Sequence, residues 1–123
     1  MTSEFKLENY VKWTGKTCAK LATIEDDNMH MILGMVTEIG ELADAFKKHL
    51  AYGRELDWTN IKEELGDAMF YIGSFCRLND LDLEDIILRN VDKLETRYKG
   101  KFTQQAANNR DLNKERDVLE KAK

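Results

Sequence analysis

The sequence predicts an all-α protein, folded as a short helical bundle of four main helices followed by a charged C-terminal helix. Among the 123 residues there is no proline, whereas average usage would supply about six in a chain of this length. Leucine occurs 14 times and alanine 9 times, against 11 valines and isoleucines together, and this balance favours helix over sheet. The length predicts one domain over residues 1–123.

The first two predicted helices are bounded by residues that commonly cap helices. The first covers about residues 4–21, with Ser3 as its N-cap. The second covers about residues 28–52 and stops at Gly53 as its C-cap. Its start is one of two adjacent acidic residues, Asp26 or Asp27.

Two further main helices follow, each with an aspartate at its start. The third covers about residues 58–78 after Asp57, and the fourth covers about 83–99 after Asp82. The fourth is expected to end at Gly100.

The C-terminal part of the chain reads as less ordered and more polar. Residues 101–110 are expected to form a polar loop, and 111–122 a thin, highly charged helix. That last helix carries few apolar residues, so we expect it to be a solvated flank.

Composition excludes several classes of partner. Charged residues make up 34% of the chain and the net charge is −4, which argues against a nucleic-acid polymer or an anionic membrane as the partner. No window approaches the roughly 18 apolar residues that cross a bilayer, and no apolar signal segment is present. We therefore expect a soluble, cytoplasmic protein whose two cysteines, Cys18 and Cys76, carry no function.

The second predicted helix has two distinct faces. One is a broad apolar stripe, the usual pattern of a buried surface. The other is a column in which Glu38 and Glu41 are the charged residues. The stripe contains Ile32, Met35, Val36, Ile39, Leu42, Ala43, Phe46 and Leu50, and the column adds Met31, Gly34 and Ala45.

The third predicted helix is apolar nearly all round, the pattern of a buried helix, and still carries Glu64 and Asp67. Four carboxylates brought together inside apolar helices would each cost on the order of several kcal/mol unless cations neutralise them. Oxygen ligands without histidine or cysteine suit Mg²⁺ or Mn²⁺. The sequence therefore predicts a divalent-cation site between these two helices.

A glycine lies inside each acidic pair, Gly40 in the first and Gly66 in the second. A glycine in the middle of a helix costs roughly 1 kcal/mol relative to alanine. The matching positions predict that the two backbones approach each other closely there.

The fourth predicted helix supplies complementary charge. Asn90, Lys93 and Arg97 fall within about 60° of arc on one side of it. A carboxylate cluster combined with a basic column is suited to holding a metal-bound polyphosphate, because lysine and arginine neutralise the phosphate oxygens that the metals leave free.

These motifs together resemble a known family. E-I-G-E at 38–41, then E-L-G-D at 64–67 after 22 residues, then N-x-x-K-L-x-x-R-Y at 90–98, resemble the motifs of the MazG-type all-α nucleoside triphosphate pyrophosphohydrolases. The resemblance covers roughly residues 30–111.

The resemblance implies Mg²⁺-dependent cleavage of a (deoxy)nucleoside triphosphate between its α and β phosphates, giving the monophosphate and pyrophosphate. It implies a homodimer or a dimer of dimers. It implies that Lys93 and Arg97 bind phosphate and that Asn90 matches the asparagine preceding them. The residues that match the catalytic metal ligands are Glu38, Glu41, Glu64 and Asp67.

Two alternatives stay open on the sequence alone. Tyr71, four residues after Asp67, either reaches the phosphates or is a core tyrosine with a satisfied hydroxyl. The whole protein is either this enzyme or a non-catalytic helical dimer that binds a nucleotide or a protein partner as a regulator.

Overall fold

The computed structural model describes residues 4–121, which contain six α-helices, one short 3₁₀ turn and no strand. The all-α prediction is confirmed. The helices are α1 (Leu7–Trp13), α2 (Ile24–Tyr52), α3 (Trp58–Leu78), α4 (Leu83–Tyr98), α5 (Gln104–Asn108) and α6 (Leu112–Glu120).

The contacts between these helices divide the chain into two compact units that meet in sequence at Leu81 and Asp82. In the first unit α2 packs along α3, and α1 packs on α3. In the second unit α4 packs against α6 and α5. A single domain over residues 1–123 stays a prediction. Within residues 4–121, no helix combines the length and the apolar character needed to span a membrane.

The first helix is shorter than the predicted 4–21. It ends at Trp13 and continues only as the 3₁₀ turn Thr14–Lys16. The fully buried Thr14 explains this end, because its hydroxyl donates to the carbonyl of Val11 at 2.7 Å and accepts from Nε of Arg77 at 3.2 Å. Ser3, the predicted cap, lies outside the described residues.

The second helix begins earlier than predicted, at Ile24, and neither aspartate is its cap. Thr23 is the N-cap, since its hydroxyl accepts from the backbone N–H of Asp26 at 3.1 Å. Asp27 is buried and accepts instead from the N–H of Leu21 at 2.7 Å. The predicted end is confirmed, with Gly53 in the left-handed conformation at φ 67°.

The apolar stripe of α2 does not face α3. Several residues of the apolar stripe are exposed in the chain, including Val36 at 64% and Leu50 at 87%. The residues of α2 that are buried are Asp27, Met31 and Gly34, and the last two belong to the column that also holds Glu38 and Glu41. The helix therefore turns its carboxylate column, and not its apolar stripe, toward α3.

The predicted close approach at Gly40 and Gly66 is also wrong, because a Cβ built at either position meets nothing within 4 Å. The close approach lies nearly two turns earlier on α2, at Gly34. A Cβ there would lie 2.3 Å from ring carbons of Tyr71 on α3. Only glycine leaves room for that ring.

The remaining helix ends agree largely with the sequence. Asp57 accepts from the N–H groups of Thr59 and Asn60, and Asp82 accepts from that of Asp85. The fourth helix ends at Tyr98, with Lys99 and Gly100 both in positive-φ conformations.

The C-terminal segment holds one more helix than predicted. Thr103 caps α5, inside the expected loop 101–110, by accepting from the N–H of Ala106 at 3.0 Å. Asp111 caps α6. The expectation of a solvated flank is wrong at Glu115, which is 3% exposed.

Candidate metal and phosphate site

Three of the four predicted carboxylates converge between α2 and α3. Glu38 and Glu41 lie one turn apart on the face of α2 toward α3, and Glu64 extends from α3. One carboxylate oxygen from each lies within 4.8 Å of the other two. Glu64 is buried, Glu38 is half-buried and Glu41 is exposed. The cluster is therefore buried at Glu64 and open to solvent at Glu41.

No lysine, arginine or histidine of residues 4–121 forms an ion pair with this cluster. Oε2 of Glu64 is buried and has no hydrogen-bond partner among residues 4–121. Close contact with the Glu38 carboxyl group, followed by burial, raises the pKa of Glu64. Contact with Glu64 likewise raises the pKa of Glu41. Glu38 makes Glu64 harder to ionise, and Glu64 makes Glu41 harder to ionise, which is the environment that a bound cation would reverse.

Asp67, the fourth predicted ligand, is exposed and lies beside the cluster, outside the set of converging oxygens. Its charge contributes, after closer causes, to the raised pKa of Glu41. It also adds to the effect of burial in raising the pKa of Tyr10. The ring of Tyr10 lies against Gly73 of α3, where an added Cβ would be 3.3 Å from it. Tyr10 of α1 thus borders this end of the site, and no sequence motif indicated it.

Tyr71 is half-buried and packs at the side of the same helix pair. Its ring fills the space above Gly34 and meets His30 edge-on, with ring centroids 6.2 Å apart. It also meets Phe70 edge-on at 5.5 Å. The ring is packed between the two helices, and whether the hydroxyl group reaches phosphate stays a prediction.

The predicted basic column lies on α4, in the second unit. Asn90 is exposed and Lys93 is half-buried. Arg97 is already engaged by a protein group, because it donates from Nε and Nη2 to the two carboxylate oxygens of Glu115 at 3.2 and 2.8 Å. Its side chain is only 14% exposed.

A second arginine binds the same carboxylate. Arg110 donates from Nε and Nη2 to Glu115 at 3.3 and 2.8 Å. These bonds, from Arg97 first and then from Arg110, lower the pKa of Glu115 to about 2. The carboxylate in turn raises the pKa of Arg97. Both arginines are thus held by one carboxylate. We call Arg97 and Arg110, bound in this way to Glu115, the arginine pair.

Sequence reasoning did not identify Glu115, although one signal was present. On α6 it lies three residues after Leu112 and three before Val118, so a carboxylate occupies the side of the helix that carries its apolar residues. A charge at such a position needs a partner. The partners are 18 and 5 residues away, and only the fold brings them together.

The two clusters have complementary chemistry. The carboxylates between α2 and α3 offer hard oxygen ligands without a protein cation, which suits Mg²⁺ or Mn²⁺. The arginines and Lys93 of the second unit offer charged N–H donors, which suit phosphate oxygens.

Comparison with known proteins agrees with this chemistry. The family model of the MazG nucleotide pyrophosphohydrolase domain matches residues 27–102, a span that begins at the start of α2 and ends just after α4. The Gene 37 protein of Mycobacterium phage L5 is 31% identical over 88 residues, which cover 66% of this chain and 75% of that protein. No solved structure matches the chain significantly. The chain belongs to the MazG nucleotide pyrophosphohydrolase family.

Proposed function

We propose that this protein is a Mg²⁺-dependent nucleoside triphosphate pyrophosphohydrolase. It cleaves a (deoxy)nucleoside triphosphate between the α and β phosphates and releases the monophosphate and pyrophosphate. The observation that carries the proposal is the convergence of Glu38, Glu41 and Glu64 within 4.8 Å, with a buried oxygen of Glu64 left without a partner. Family membership supports the reaction class.

The donor set fits a divalent cation. An orphaned carboxylate oxygen in a buried position is costly unless a cation or a donor satisfies it. Glu38, Glu41 and Glu64 would hold Mg²⁺, or Mn²⁺ in its place, and Asp67 is the fourth proposed ligand at the exposed side. When bound, such an ion supplies positive charge to phosphate oxygens and lowers the pKa of a coordinated water.

The chain's own side chains supply the remaining roles. A carboxylate of the cluster accepts the proton of the attacking water. Lys93 and Arg97 bind phosphate oxygens and neutralise the charge that grows on the departing pyrophosphate. Asn90 contributes an amide donor to the same substrate, and Tyr71 contacts the substrate from its position beside Gly34.

The proposed assembly is a homodimer, or a dimer of such dimers. Its support is the apolar face of α2 that the chain itself leaves open, including Val36, Ile39 and Leu50 at 64%, 50% and 87% exposed. Contiguous apolar surface of this kind marks contacts between proteins. We expect Val36→Glu to shift sedimentation equilibrium toward monomer, whereas Lys47→Glu, on the same helix and already exposed, leaves it unchanged.

The reaction is tested by incubating the protein with each ribo- and deoxyribonucleoside triphosphate and Mg²⁺, and resolving the products by ³¹P NMR without a coupled pyrophosphatase. We expect monophosphate and pyrophosphate in equal amounts for at least one substrate. Diphosphate with orthophosphate, or no product from any substrate, would contradict the proposal.

A further inference from the structure

The second unit contains a cleft of about 530 Å³ between the end of α4 and the start of α6. Four basic and two acidic side chains line it, so positive charge is in excess. The charged residues are Arg97, Lys99, Arg110, Lys114, Asp111 and Glu115. Neither lysine forms an ion pair within the part of the chain that the structure describes.

The arginine pair forms one wall of this cleft. Oε1 of Glu115 accepts from Nη2 of both arginines at 2.8 Å, and Oε2 accepts from Nε of both at 3.2 and 3.3 Å. The two guanidinium groups are therefore held side by side by a carboxylate that is 3% exposed. Each retains a second terminal nitrogen, Nη1, that these four bonds do not use.

One carboxylate cannot neutralise two guanidinium groups. A single arginine on Glu115 would complete an ion pair, and a buried pair of that kind is already a weak source of stability. The second arginine leaves an excess positive charge, and because its side chain is 41% exposed, an anion can reach it from solvent. The unpaired Lys99 and Lys114 beside it increase that excess, which favours an anion with more than one negative charge.

We propose that Glu115 is a positioning residue that holds Arg97 and Arg110 side by side as a double-guanidinium site for a diphosphate group. Two guanidinium groups held on one carboxylate offer paired donors to neighbouring phosphate oxygens, which lysine does not provide. Assignment of this diphosphate to the leaving pyrophosphate of the triphosphate rests on the proposed function. The site makes α6, through Glu115, a part of substrate binding.

The test uses inorganic pyrophosphate as the probe, titrated into the full chain in EDTA so that only basic groups can attract it. Arg110→Ala is compared with Arg116→Ala, which removes the same charge from an exposed α6 residue outside the cleft. A charge-assisted contact is worth a factor of about 10 to 100 in affinity. We expect a loss of that size for Arg110→Ala and less than about twofold for Arg116→Ala. Equal affinities for the two variants would overturn the proposal.

A second pair of variants separates positioning from simple charge. Glu115→Gln removes a negative charge from the cleft, and electrostatics alone predicts tighter pyrophosphate binding. If Glu115 orders the arginines, binding weakens instead, at a temperature where circular dichroism shows that the variant is folded. Glu120→Gln is the matched control on the exposed side of α6. Tighter or unchanged binding by folded Glu115→Gln would contradict the positioning role.

The two proposals fail in different ways. If pyrophosphate binds through Arg110 and no triphosphate is hydrolysed, the diphosphate site stands and the proposed function fails. If a triphosphate is hydrolysed and Arg110→Ala binds pyrophosphate as the wild type does, the site fails and the function stands.

Discussion

Glu64 and Glu115 are both buried glutamates, at 5% and 3% exposed, and their environments are opposite. Glu64 faces other carboxylates, one of its oxygens has no hydrogen-bond partner in the described part of the chain, and its pKa is raised. Glu115 receives two hydrogen bonds from each of two arginines, and its pKa is lowered to about 2. Burial alone does not distinguish the two carboxylates. Their partners do, because Glu115 is satisfied by two arginines, whereas the unpartnered oxygen of Glu64 lies where we propose that a cation binds.

The largest expected effect is on catalysis by the carboxylate cluster. Glu64→Gln keeps the shape of the side chain and removes a metal ligand, so we expect triphosphate hydrolysis to fall by at least about 100-fold. Asp44→Asn is the control, since Asp44 is a half-buried acid of α2 that is already paired with Lys47 and Lys48. Initial rates of pyrophosphate release at saturating Mg²⁺ measure both. Near-normal turnover by Glu64→Gln would remove the cluster from the active site.

In the absence of metal, substitutions of the same two glutamates should shift the unfolding temperature, Tm, in opposite directions. Glu115→Gln leaves two arginines without their shared anion, and we expect Tm to fall by more than about 5 °C. Glu64→Gln relieves repulsion among carboxylates, and Tm should rise or stay level. Scanning calorimetry in EDTA measures both variants beside the wild type. A fall of similar size for each would mean that Glu64 has a structural partner like that of Glu115.

Alanine substitutions at two glycines of α2 should change the free energy of unfolding by a smaller amount. Gly34→Ala places a Cβ 2.3 Å from the Tyr71 ring, and such overpacking costs about 1–3 kcal/mol. Gly40→Ala meets open space in the chain and should gain up to about 1 kcal/mol from helix propensity. Urea unfolding at a protein concentration that favours monomer measures both. Stabilisation by Gly34→Ala would contradict the packing of Tyr71.

As the pH falls, the stabilisation of the folded chain by Glu115 should decrease gradually. Its pKa in the folded chain is about 2, below the ordinary value of 4.5. Its stabilising effect is therefore complete above about pH 4.5 and is lost as the pH falls through 2. As the pH is lowered from 5 to 2.5, the urea midpoint of the wild type should therefore approach that of Glu115→Gln. A constant gap would show that the charge of Glu115 does not stabilise the fold.

Much of the fold could be predicted from the sequence because local capping determines it. The aspartates at 57 and 82 and the glycine at 53 mark helix ends through bonds and backbone conformations that involve only neighbouring residues. The early end of α1 could not be predicted in this way, since it depends on a bond from Arg77, 63 residues away. Which face of α2 packs on α3 could not be predicted, because hydrophobic periodicity identifies an apolar stripe without saying what covers it.

In the candidate site too, contacts that follow from local sequence were predictable, and contacts between distant residues were not. Helical spacing within each acidic motif, together with the family resemblance, was enough to predict that Glu38, Glu41 and Glu64 lie together. The binding of Arg97 by Glu115 was not predictable, because it joins α4 to a helix whose composition indicated a solvated flank. Helical spacing and the resemblance therefore identified the converging carboxylates, and the tertiary fold revealed the carboxylate that holds the arginines.

The most direct test of the central claim is the binding of Mn²⁺, followed by the loss of the free-ion signal in electron paramagnetic resonance. The wild type and Asp44→Asn should bind with the same affinity, and Glu64→Gln should bind at least about 10-fold more weakly. Glu115→Gln should bind as the wild type does, since its carboxylate is already satisfied. Equal Mn²⁺ affinity in the wild type and Glu64→Gln would contradict the claim that the cluster between α2 and α3 is a cation site.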